Sequence, residues 1–377
     1  MLEGFFMRKS YLRGMKIREI IQELERIAPP MLQESYDNSG LIVGHSDWET
    51  DGVLVALDCL EDVVDEAIQK GIHLVVTHHP IVFSGLKRFN GKSYIERVVM
   101  KAIKHDVALY AIHTNLDNVA WGVNAKIMEV LDIYSHQVLS PMKNALKKFQ
   151  VYVPSNSALT LANAVYAAGG GKVSLYEECS FTTAGTGTFK PTVGTNPVVG
   201  NVGTRETVQE VKMEFLVPNF AQRAVERSAR NAHPYEEMAY EWLSLENTAT
   251  VYGAGAVGSL DEPMEFEAFL AHCKSAFGTT LKYTAPVGSH VKKVAVCGGS
   301  GSFLLGAAKA SGADVFITAD YKYHQFFDAE NDISILDVGH FESEQFTIDL
   351  IAEGLSKKFP KFAVLKTEVN TNPIQYY

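Results

Sequence analysis

Cysteine is scarce, with four in 377 residues. Cys59, Cys179, Cys273 and Cys297 lie far apart and form no Cys-x-x-Cys pair. That argues against a disulfide framework and for a reducing, cytoplasmic setting. Long apolar runs are also missing. None approaches the roughly 20 residues a membrane helix needs, so no membrane partner is expected. The stretch from Met1 to Gly14 contains Phe5-Phe6-Met7 but no long apolar segment and no small-residue cleavage site. It reads as a loosely held leader rather than a signal peptide. Positive charge is in deficit: 34 Lys and Arg stand against 44 Asp and Glu, for a net charge of -10. A general nucleic-acid binder would need clustered cations to neutralise phosphates, so that class is disfavoured. What remains is an ordinary globular composition, 46% hydrophobic and 21% charged. The chain is long enough for two or three domains.

A duplication is legible inside it. Gly52 to His79 aligns without a gap with Lys293 to Asp320, at a constant offset. Each stretch reads as strand, turn, helix, glycine, strand. Gly71 falls on Gly312, and Thr77 on Thr318. A third apolar strand follows each unit, Val107 to Ile112 and Ile333 to Val338. Each of these runs into a His-x-x-x-acid pattern, His113 to Asp117 and His340 to Glu344. The expected fold class is therefore α/β with two related lobes, near residues 15–143 and 248–377. Between them, residues 148–247 change rhythm to strand, helix, strand, strand, helix, strand, the ferredoxin-like α+β order. The second of these strands is expected at KVSLYEECSF, with a long loop or hairpin tip over Thr182 to Thr207. This block reads as a domain inserted into the first fold.

Open α/β sheets place functional groups just beyond the carboxyl ends of their strands. That rule selects Asp58, His78-His79, His113, Asp117, the turn Cys297 to Gly301, Asp320, and His340 with Glu344. Five of the twelve histidines sit at or just past such ends, counting His324. A lone strand-end histidine is usually a packing residue, but several converging with carboxylates suit Zn, Mn or Fe. His340 and Glu344 are four apart and share one helix face. A carboxylate can bridge two ions about 3.5–4 Å apart, and such a pair activates water near neutral pH. The expected ligands are His78, His79, Asp117, His340 and Glu344, holding two divalent ions. Glu344 and Asp117 are the candidate catalytic carboxylates that fix the ions. His113, Asp320 and His324 are expected behind the ligands or along a substrate pocket, with Tyr321 and Tyr323 as further candidates.

These segments carry a family resemblance. VTHHPIVF, HTNLDN, DVGHFESE and the DNSGL of Asp37 to Leu41 resemble the GTP cyclohydrolase 1 type 2 homologues, also called NIF-three-like proteins. The likeness covers both lobes. It implies a dinuclear site in which His79 and Asp117 hold one ion, His78 and His340 the other, and Glu344 bridges. It also implies a toroidal homohexamer and a nucleotide-like small-molecule substrate attacked by metal-activated water. The inserted block resembles the PII-like, copper-tolerance-like domain of long members.

Other motifs fail. SGLKRFNGKS has five residues between Gly85 and Gly91, where a phosphate loop requires four. GGSGS at Gly298 to Ser302 lacks the third glycine of a dinucleotide fingerprint and the closing glycine of a nucleophile elbow; it reads as a tight turn. His233-Pro-Tyr-Glu-Glu237 reads as a turn before the last inserted strand. Two functional classes then compete: a metal-dependent hydrolase, and a metal-binding regulatory or scaffold protein without catalysis. Five ligands shared by two ions leave open coordination positions, which favours the enzyme.

Overall fold

The structure is a computed structural model that describes residues 14–173 and 176–377. All of the expected N-terminal leader but Gly14 lies outside the described residues. The chain forms two compact units. One comprises the residues up to Ser140 together with Gly253–Tyr377, and the other is Pro141–Tyr252.

Among the described residues, the first unit contains two large sheets and a two-stranded antiparallel pairing of Met15–Lys16 with Glu49–Thr50. In one, the strands run Ala363–Lys366, Gly52–Ala56, Leu74–Thr77, Ala108–Ala111 and Gly40–Val43. The first four are parallel and the last is antiparallel. The runs GVLVA, LVVT and ALYA are buried along their whole length, as expected of parallel strands covered on both faces. The other sheet runs Lys282–Tyr283, Ser334–Asp337, Val315–Ala319, His290–Ser300, Ala249–Glu265 and His136–Met142. Its middle three strands are parallel. The duplication is therefore physical: the parallel triplet of each sheet comes from corresponding residues. The helix Glu61–Lys70 ends on Gly71 at φ 67°, and the corresponding Gly312 has φ 71°. Both glycines turn the chain from helix to strand in the left-handed region that other residues enter at a cost.

The lobes differ from their expected limits at both ends. His136–Met142 joins the second sheet, and Ala363–Lys366 crosses back to pair with Gly52–Ala56. Each sheet thus takes an edge strand from the part of the chain assigned to the other lobe. Local apolar patterning cannot reveal this, because an edge strand's partner is chosen by tertiary geometry.

Pro141–Tyr252 contains a four-stranded antiparallel sheet ordered Tyr240–Ser244, Leu146–Pro154, Glu206–Pro218, Phe181–Phe189. Alternate residues Phe149, Val151 and Val153, and Val211, Met213, Phe215 and Val217, are buried. They pack against Leu161, Val165, Val225 and Ala229 of the helices Ala158–Ala167 and Gln222–Ala232. The second strand lies later than expected. Phe181–Phe189 occupies the start of the anticipated loop, and the nearest described pairing before it is an isolated bridge between Val173 and Tyr176. Its sequence, FTTAGTGTF, is almost wholly exposed and carries little apolar signal. Backbone pairing with Glu206–Pro218 makes it a strand.

Candidate metal centre

The carboxyl ends of both parallel triplets meet at one cavity of about 540 Å³. His78 and His79 follow Leu74–Thr77, and the chain turns there so that both rings face inward, with centroids 5.0 Å apart. His113 follows Ala108–Ala111 and opens the short helix Thr114–Asp117. His340 and Glu344 begin and end the short helix His340–Glu344, which follows Ser334–Asp337.

Each imidazole is oriented through Nδ1. His78 Nδ1–H donates to the Ile112 carbonyl at 2.8 Å. His79 donates to Asp58 Oδ1 at 2.8 Å, His340 to Asp320 Oδ2 at 2.7 Å, and His113 to Asp37 Oδ1 at 2.7 Å. A carbonyl or carboxylate can only accept, so Nδ1 carries the proton and Nε2 of the neutral ring is free to coordinate. The Nε2 atoms of His78, His79 and His340 converge on Glu344. Its Oε2 is 2.9 Å from His79 Nε2 and 3.1 Å from His340 Nε2, and its Oε1 is 3.8 Å from His78 Nε2. Asp117 Oδ1 lies 3.6 Å from His78 Nε2.

His78 is 0% exposed and Glu344 is 3% exposed. His78 Nε2 and Asp117 Oδ1 are sealed from solvent and make no hydrogen bond. Two facing orphan atoms, one nitrogen and one carboxylate oxygen, are costly to bury unless something bridges them. A divalent cation fits that need, and the mixed N and O donors suit Zn, Mn or Fe. Among the described residues, three donor groups lie close enough to hold an ion: His79, His340 and Glu344; His78, Asp117 and Glu344; and His78, His79 and His113. Glu344 belongs to the first two, one oxygen towards each. The family resemblance implies another grouping, His79 with Asp117 and His78 with His340. His79 stands with His340 and His78 with Asp117, because each pair faces a different oxygen of Glu344.

The electrostatics follow from this packing. Burial works against a charged His79, but Asp58 and Glu344 outweigh it and raise its pKa to about 9. His340 is raised to about 11, its burial outweighed by Asp320 and Glu344. Burial lowers His78 despite Glu344. Burial and the neighbouring Glu344 push Asp117 well above the usual carboxylate range. For Glu344, burial is overcome by His340, His78 and His79, which hold it well below that range. Burial is likewise overcome at Asp37, where His113 and Thr114 lower the carboxyl.

The family model for Duf34/NIF3 (NGG1p interacting factor 3) matches residues 15–373. This chain belongs to the Duf34/NIF3 family. The GTP cyclohydrolase 1 type 2 homolog of Bacillus subtilis (strain 168) is 36% identical over 370 residues, covering 95% of this chain and 98% of that protein. The crystal structure of a Bacillus cereus protein related to NIF3 has a TM-score of 0.84 at 34% identity, over 98% of this chain and 100% of that one. A Staphylococcus aureus protein has a TM-score of 0.74 at 29% identity, over 97% and 100%.

In this Duf34/NIF3 chain the cavity also contains His113 and Asp58, and Asp320 reaches the centre through His340. His324 does not join them. It is exposed and lies edge-on to Tyr323 at 5.2 Å and tilted against Phe327 at 6.2 Å. The seven-residue 3-10 turn Tyr323–Ala329 carries it outward. Tyr321 is buried against Phe326, and Tyr323 is exposed. Lys92-Ser93 caps a helix, Ser93 Oγ accepting from the Glu96 amide at 3.2 Å. His233 sits in a turn, held by the Tyr152 carbonyl at 2.9 Å. The glycine run has a role that its spacing did not reveal. A Cβ at Gly299, which has φ 58°, would collide with the Glu344 carboxylate and come within 3.1 Å of His340 Cε1. The Gly298 amide donates to Asn124 Oδ1 at 3.0 Å, and Asn124 Nδ2 donates to the Asp117 carbonyl at 3.1 Å. Asn124 therefore ties the two halves of the centre together.

Proposed function

We propose that this chain is a metal-dependent hydrolase of a nucleotide-like small molecule, with two divalent ions held by His78, His79, Asp117, His340 and Glu344. The observation that supports it most is the pair of orphaned, facing atoms His78 Nε2 and Asp117 Oδ1 beside a carboxylate already shared by two other imidazoles. Ions bound there would supply Lewis-acid activation of water and substrate. The chain's own groups do the rest. Asp58 and Asp320 fix the rings of His79 and His340, Glu344 presents an oxygen to each donor pair, and Asp117 holds the far side. Tyr36, Phe83 and Phe303 line the cavity and provide apolar surface for a planar ring. The nucleotide-like substrate class rests on the name of the B. subtilis relative, GTP cyclohydrolase 1 type 2 homolog. A cytoplasmic location, assembly as a toroidal homohexamer and a PII-like or copper-tolerance-like character of the inserted block are parts of the same proposal. Among the described residues no helix is long and apolar enough to cross a membrane.

The test is a hydrolysis screen of GTP and other nucleotides with metal-stripped protein and with protein reloaded with Zn, Mn or Fe. Metal-dependent turnover that disappears in Asp117→Asn is expected. A regulatory metal-binding protein is the second reading, favoured by a separate cavity of about 340 Å³ within Pro141–Tyr252, walled by Tyr152, Phe189 and Tyr235. Stable metal binding with no turnover of any nucleotide would support it.

A further inference from the structure

The end of the chain runs across the metal centre. The strand Ala363–Lys366 pairs with Gly52–Ala56, and beyond it the Thr367 amide donates to the Val55 carbonyl at 2.9 Å. The Glu368 amide donates to Glu66 Oε1 at 3.1 Å, and Val369 packs into the apolar core under the first sheet. The segment is thus anchored before it reaches the cavity. Thr371 is 6% exposed, and its hydroxyl donates to Asp58 Oδ2 at 2.6 Å. The other oxygen of Asp58 accepts from His79 Nδ1. Asn372 Nδ2 donates to Glu342 Oε1 at 2.9 Å, and Glu342 is buried on the short helix that carries His340 and Glu344. Pro373 and Ile374 then line the cavity. Two adjacent residues therefore hold the two halves of one centre, Thr371 through the carboxylate behind His79 and Asn372 through the helix of His340 and Glu344.

We propose that residues 371–374 form a clamp on the metal centre, with Thr371 and Asn372 as positioning residues for His79 and for the His340–Glu344 helix, and with Pro373 and Ile374 as one wall of the substrate cavity. The proposal rests on the metal reading above. A carboxylate bonded through one oxygen only can pivot, and an imidazole bonded to it pivots too. Ligands must be held within about 0.5 Å of the productive geometry, so freeing Asp58 from Thr371 weakens the site without removing a ligand.

The experiment titrates Co(II) into metal-stripped, full-length wild type, Thr371→Val, Thr371→Ser and Asn372→Ala, reading affinity by calorimetry and ligand field by visible absorption. Thr371→Val keeps the shape and loses the donor. It should bind about tenfold more weakly, at the low end of outer-shell effects, and with an altered Co(II) spectrum. Thr371→Ser restores the donor and should recover both, which a purely structural role for the segment does not predict. Asn372→Ala should also weaken binding, and it carries the test if Thr371→Val does not fold. Wild-type affinity and spectrum in both Thr371→Val and Asn372→Ala would overturn the clamp and leave the metal reading standing. A serine variant no better than the valine one would remove Thr371 as a positioning residue. A wild type that binds no Co(II) would remove the metal reading, and the clamp with it.

Discussion

A histidine presents one nitrogen to a metal in a fixed direction only when its other nitrogen is occupied, and here that occupant is an acceptor in every case. Asp58, Asp320 and Asp37 serve His79, His340 and His113, and the Ile112 carbonyl serves His78. His79 and His340, raised by Asp58, Asp320 and Glu344, stay protonated in the metal-free protein, which gives a signed pH dependence. His79 is raised from an unfolded value of about 6.5 to about 9. Its contribution to metal-free stability is therefore fully present below about pH 6.5 and is lost as pH rises through about 9. A bound ion displaces that proton, so affinity should rise with pH across the same window, with proton release. Calorimetry in two buffers of different ionisation enthalpy checks this, and pH-independent affinity would contradict it. Glu344 and Glu342 are separated by the same reasoning. Glu344→Gln removes the charge from the one carboxylate that faces both donor pairs and should weaken metal binding by about 100-fold or more, since even outer-shell changes cost 10–100-fold. Glu342→Gln keeps an oxygen for Asn372 and should change affinity far less. Equal losses in the two variants would show that Glu344 is not the shared ligand.

At the level of elements, the strand ends did most of the work, and they were the most legible feature of the sequence. Continuous apolar runs followed by His, Asp or Glu marked both parallel triplets, and the rule that such sheets act at their carboxyl edge picked out His78, His79, Asp117, His340 and Glu344. What was not legible depends on contacts between distant residues. Asp37 reaches His113 across 76 positions, and Thr371 reaches Asp58 across 313. No local pattern encodes either contact. His324 lies outside the cavity, because nearness in sequence to Asp320 says nothing about which way a 3-10 turn departs. The spacing of the glycine run points to a tight turn, whereas Gly299 lies in the strand His290–Ser300 and leaves room for Glu344. Gly299→Ala tests that role. A non-glycine residue at φ 58° costs about 1–2 kcal/mol from the backbone alone. The added methyl should also displace Glu344, lowering both the melting temperature and metal affinity. A Gly306→Ala control, whose Cβ would meet nothing within 4 Å, should leave metal affinity unchanged. If Gly299→Ala also binds metal normally, Gly299 does not shape the site.

On the scale of the whole unit, duplication explains why one cavity can collect donors from residues more than 260 positions apart. Each half contributes a parallel triplet and one His-x-x-x-acid segment, and the halves trade edge strands, Ala363–Lys366 in one direction and His136–Met142 in the other. Asn124 then joins the end of the helix Thr114–Asp117 to the Gly298 amide. An ion bound between the halves stabilises the folded form by mass action, so a metal-dependent rise in melting temperature is expected alongside any catalysis. The central claim is that this cavity is a two-ion centre, and elemental analysis of the purified, reconstituted chain tests it most directly. About two equivalents of Zn, Mn or Fe per chain are expected, as a carboxylate shared between two donor groups requires. Less than about half an equivalent after reconstitution with each metal would contradict it.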